Sequence, residues 1–172
     1  MKEILEKFNK LFLDKKYSEL ILLIEKSIKL KPPRILNILA VTRLLNSRDK
    51  NSFILAINEF EEAYLKEPDT QVGFEGLKNY INAVVDFYEF HDVNDKSIDF
   101  KILFNNALKY FVKAEKFFGY EFKLFIAMVR IYKRLNQLDK ILYCYKKLSD
   151  NNDLDCDILS SWIFYNSYDG TF

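Results

Sequence analysis

Apolar and polar positions follow one another along this chain with the period of an α-helix. The clearest stripe is Ala107, Phe111 and Ala114, where a small residue is followed four later by an aromatic and three after that by another small residue, all on one helical face. The same spacing occurs at Ala56, Phe60 and Ala63, with Pro68 five residues beyond. A degraded copy is Leu20, Ile24 and Ser27, with Pro32 five residues beyond, and a fourth is Ile141, Tyr145 and Leu148. The interval from Ala107 to Ile141 is 34 residues, from Leu20 to Ala56 it is 36, and from Ala56 to Ala107 it is 51. A single period therefore recurs, once with a two-residue insertion and once with a long one.

The stripe has a packing logic. Ala107 and Ala114 let a neighbouring helix backbone approach, while Phe111 fills the gap between one unit and the next. Pro32 and Pro68 lack the N–H that a continuing helix needs, so the second helix of a pair is expected to stop there and the next pair to begin. The spacing predicts helix pairs over 1–31, 35–67, 70–117 and 120–149, then a last helix over 156–167. That makes one all-α domain over 1–172, with repeats at 1–34, 35–68, 69–119 and 120–153. The third repeat is irregular: Phe74 to Phe90 reads as a long apolar-rich helix, and His91 to Ser97 as a polar insertion before helical periodicity resumes at Ile98.

From Phe125 to Tyr145 the chain has Tyr132 in a first helix, a short polar turn around Asn136, and Leu138 and Ile141 entering a second helix. Tyr17, Ser18, Glu19 and Leu20 repeat that turn in the first pair. On these residues the chain resembles tetratricopeptide repeats. The resemblance implies a tetratricopeptide-like α-solenoid of about four helix pairs plus a terminal helix, whose first helices line a concave groove that takes a protein or peptide. Where that family has a small residue in the first helix, Phe8, Thr42 and Val129 stand instead, and Gly76 keeps the pattern. Larger residues there push helices apart and change the superhelix pitch.

Composition narrows the function. Only 4 Gly and 3 Pro leave few sites for tight turns, which favours helices joined by short polar loops. With 26 basic against 25 acidic residues the chain lacks the basic excess that gives affinity for nucleic acid. Cys144 and Cys156 form neither a CxxC pair nor a disulfide framework, and the single His91 completes no zinc set, so no metal and no cofactor are expected. Met1 to Tyr17 interleaves Lys and Glu with apolar residues, and no stretch approaches a membrane span, so the expected location is cytoplasmic. Asp153, Asp155 and Asp157 alternate as in a calcium loop, but Ile158 and Phe164 stand where the turn glycine and the bidentate glutamate belong. Asp157 is instead expected to cap the helix that follows. No nucleophile motif or phosphate-binding glycine loop occurs, and Glu61 and Glu62, being adjacent, do not face each other on a helix. Catalysis is not expected.

The leading expectation is a protein-binding scaffold, monomeric or weakly homo-oligomeric. Arg130, Lys133 and Arg134 lie on adjoining faces of one first helix, with Arg43 two repeats earlier and Tyr80 between them. A groove with these residues favours an acidic peptide or a C-terminal carboxylate, through charge-assisted contacts from Arg. Two alternatives belong to other classes. The tail from Ile158 to Phe172, with Trp162, Phe164, Tyr165, Tyr168 and Asp169, resembles the segment joining tetratricopeptide repeats to the catalytic region in relatives of O-linked N-acetylglucosamine transferase. That resemblance implies an acceptor-binding region of a glycosyltransferase-like protein; the groove asparagines of that family form a ladder, whereas Asn9, Asn46 and Asn79 do not recur at one position here. The same terminal aromatics, Trp162, Phe164 and Tyr165 above all, also suit a structural subunit that stacks end to end.

Overall fold

The computed structural model describes residues 2–90 and 99–153. All its regular structure among these residues is helical: α1 (Lys2–Leu13), α2 (Tyr17–Ser27), α3 (Pro33–Asn46), α4 (Lys50–Lys66), α5 (Gln71–Phe90), α6 (Phe100–Phe118), α7 (Phe122–Arg134) and α8 (Leu138–Asp150). Helices α1 and α2, α3 and α4, and α7 and α8 pack on one another as the spacing leads one to expect, whereas α5 and α6 fall in different compact units. The expected last helix over 156–167, with Trp162, Phe164 and Tyr165, and the insertion from His91 to Ser97 lie outside the described residues, as do Cys156 and Asp157. No described helix is long and apolar enough to cross a membrane.

Helix ends follow local chemistry. Asp49 caps α4 by accepting from the Ser52 N–H at 2.8 Å, Asp99 caps α6 by accepting from Lys101 and Ile102, and Glu121 caps α7 by accepting from Leu124. The turn between the two helices of a pair takes the same form twice. Lys15 and Asn136 both adopt a left-handed backbone, and the N–H of the next residue reaches five back, Lys16 to Leu11 and Gln137 to Tyr132. Pro32 acts differently from its expected role as a stop. α2 has already ended at Ser27; Pro32 is instead the N-cap of α3, its carbonyl accepting from Ile35 and Leu36, with Pro33 at the first helical position.

The chain separates into two compact units, residues 1–94 and 95–172. In the first, consecutive helices pack on one another from α1 to α5, and α3 also touches α5. The N-terminal end of its core is Phe8, Leu11, Leu20, Ile24, Ile35 and Leu39, drawn from α1, α2 and α3. Ala56, Phe60 and Ala63 of the repeated stripe are buried on α4, and Phe53 stacks on Phe87 of α5 with ring centres 5.2 Å apart. Two glycines allow close approach. A Cβ on Gly73 would lie 1.8 Å from the Glu67 carbonyl, and one on Gly76 would meet Phe60 O and Asn37 Oδ1 at 3.1 Å and Ala63 Cβ at 3.2 Å. Gly76 thus seats α5 against both α3 and α4.

In the second unit α7 packs on α6 and on α8. Ala107, Phe111 and Ala114 are buried on α6, Ile141, Tyr145 and Leu148 on α8, and Phe111 meets Phe125 of α7 edge to face at 5.3 Å. Tyr143 donates to Glu115, Tyr120 donates to Asp153 at 2.7 Å, and Cys144 is fully buried. Val129, standing where the repeat family has a small residue, is buried as part of this core.

Candidate functional site

Three helices of the N-terminal unit, α1, α3 and α5, bound an open groove of about 360 Å³. α1 supplies Phe8, Asn9 and Phe12, α3 supplies Asn37, Ile38 and Val41, and α5 supplies Glu75 and Asn79. Each set follows from helical spacing: positions i, i+1 and i+4 on α1 and α3, and i and i+4 on α5, share a face. The floor is apolar, with Phe8 and Asn37 buried, whereas Asn9, Phe12 and Glu75 are exposed. Asn37 clips the wall together, its Nδ2 donating to the Val72 carbonyl of α5 at 3.0 Å, while its Oδ1 is buried against Gly76 without a hydrogen-bond partner.

Among the described residues of this lining, Glu75 is the one ionisable side chain. It makes no ion pair with any described residue. Asn9 of α1 and Asn79 of α5 line the same groove. Among the described residues three asparagines line the groove, at positions that do not match from one helix to the next. The third member is Asn37, and Asn46 instead accepts a hydrogen bond from Ser18 at 2.8 Å.

Two residues expected in a basic groove are placed elsewhere. Arg43 lies two positions past Val41, about 200° further round α3, and so faces α2 and α4. Its Nε donates to both oxygens of Glu59 at 2.9 and 3.0 Å and its guanidinium to Glu25 at 2.6 Å, with the Arg43 and Glu59 side chains each 13% exposed. Burial lowers the Arg43 pKa, but hydrogen bonds and charge from Glu25 and Glu59 outweigh it and the net shift is upward. Burial pushes the Glu59 carboxyl above its ordinary value, with Arg43 offsetting only part of the effect. Tyr80 is one position past Asn79, which turns it into the core, where it has no exposed surface. Arg130, Lys133 and Arg134 belong to the second unit. Arg130 is half-buried on α7, Lys133 and Arg134 are exposed in its last turn, and Lys133 Nζ sits 5.8 Å from the Tyr145 ring centre.

Comparison of the chain with protein-family models, curated proteins and solved structures gives no match.

Proposed function

We propose that the chain is a tetratricopeptide-type repeat module that binds an extended segment of another protein in the α1–α3–α5 groove and performs no chemistry of its own. The observation that carries this reading is the convergence of α1, α3 and α5 on one open apolar groove that asparagines also line. Primary amides suit a peptide main chain, because each offers two N–H donors and a carbonyl acceptor that match the unpaired groups of an extended strand. The apolar floor supplies the burial that makes such a contact favourable, and the half-exposed Ile38 and Val41 leave a surface for a side chain to cover. The repeated left-handed turn at Lys15 and Asn136 supports the same repeat frame for the first and fourth pairs.

A photo-crosslinking amino acid at position 41, compared with one at exposed Asn58 on α4, tests this directly. Irradiation with the native proteome is expected to give discrete adducts from position 41 that an excess of unlabelled chain competes away, and none from position 58. Equal adducts from both positions would sink the groove reading.

A further inference from the structure

The lining of the groove also states what charge its occupant carries. We infer that the occupant is a segment in which an apolar side chain sits beside a lysine or arginine, so that Phe12, Ile38 and Val41 cover the apolar group and Glu75 receives the cation. This rests on the groove reading above and adds a partner chemistry to it, opposite in sign to the acidic ligand that the arginines along the chain suggest.

The argument runs from the fate of each charge. Arg43, the cation of α3 expected in the groove, is turned away from it and held by two carboxylates. Among the described residues no Lys or Arg lines the groove. Glu75 is exposed, has no ion-pair partner among the described residues, and stands one helical turn from Asn79 on the same face of α5. An anionic peptide would place its charge beside Glu75 with no cation among the described lining residues to offset it, which is unfavourable. A neutral one would leave the Glu75 carboxylate solvated and gain only the apolar contact. A basic one gains that contact together with a charge-assisted hydrogen bond, stronger beside an apolar floor than in open water. The other polar groups of the described lining are the side-chain amides of Asn9, Asn37 and Asn79, which carry no charge to compete with it.

The test uses three pools of short, end-capped, fluorescein-labelled peptides, degenerate except for a fixed Leu followed by Lys, Gln or Glu. Fluorescence anisotropy with the full chain is expected to show the Lys pool binding about tenfold more tightly than the Glu pool at low salt, with the Gln pool between them. That preference should shrink as salt is raised. Glu75→Gln should remove it and Glu75→Lys should invert it, each with an unchanged thermal melt because the side chain is exposed. Val41→Trp, which fills the groove, should weaken all three pools together. If Val41→Trp weakens them but Glu75→Lys leaves the Lys preference intact, the groove reading stands and the basic partner is overturned. If Val41→Trp changes nothing, or if no pool binds the intact chain, both are overturned.

Discussion

Two polar regions of the N-terminal unit make opposite use of a glutamate. Behind α3, Glu59 is buried with Arg43, and Glu25 closes the cluster from α2. In front of α3, Glu75 stands exposed at a groove whose described lining holds asparagines and no cation. The first region is complete without any ligand, and its charges join three helices. The second leaves its charge open. The difference teaches that being on a first helix does not make an arginine a binding residue; what decides is whether the fold already neutralises it.

The comparison breaks most sharply at Arg43. Arg43→Met removes the cation and leaves Glu59 buried and uncompensated, and it is expected to cost about 3 kcal/mol of stability in urea or thermal unfolding. A loss under half that would mean that the cluster is solvated and no different in kind from the groove. Gly76→Val probes the joint that the two regions share, since a branched side chain there meets the Phe60 carbonyl and Asn37 Oδ1. It is expected to cost about 2 kcal/mol and to weaken peptide binding as well, because α5 can no longer seat on α3.

Glu59→Gln should cost less, about 1 kcal/mol near neutral pH, because a neutral amide avoids the burial penalty but loses the ion pair. Its pH dependence has a definite sign. The folded-state value of Glu59 is raised above the ordinary 4.5, so as pH falls through that raised value towards 4.5 the folded chain takes up the proton first, and the parent chain gains stability relative to Glu59→Gln. Difference melts recorded across that window check it, and a relative loss would show that pairing with Arg43 outweighs burial. The smallest expected effect is that of Glu75→Gln, under about 0.5 kcal/mol by chemical denaturation, as for a surface substitution away from packed features.

Much of the helical framework was legible in the residue pattern. Ala56, Phe60 and Ala63, and Ala107, Phe111 and Ala114, mark buried stripes because a core face repeats at helical spacing whatever lies on the other side. Gly76 was legible by another route, the resemblance, as the position where a small residue of the first helix is kept. The groove was not, because its face mixes Phe12, Val41, Asn9, Asn79 and Glu75 and so has no hydrophobic period to follow. Arg43 was misread since Glu59, its partner, lies sixteen residues on in another helix, and helical spacing relates only residues within one helix. Asn37 was overlooked in favour of Asn46; the i, i+4 relation of Asn37 to Val41 on the groove side of α3 was the signal that could have found it.

The sealed position of Cys144 makes it a clock for the second unit. Burial pushes its thiol up to about 12, with the carboxylate of Glu115 adding to the shift, so in the folded chain the reactive thiolate is scarce and out of reach of reagent. With Cys156 replaced by Ser, the rate at which a disulfide reagent labels the chain would count how often α8 lifts from α7. Substitutions in the Arg43 cluster can then be followed by that rate, which registers whether a loss in the first unit is felt in the second.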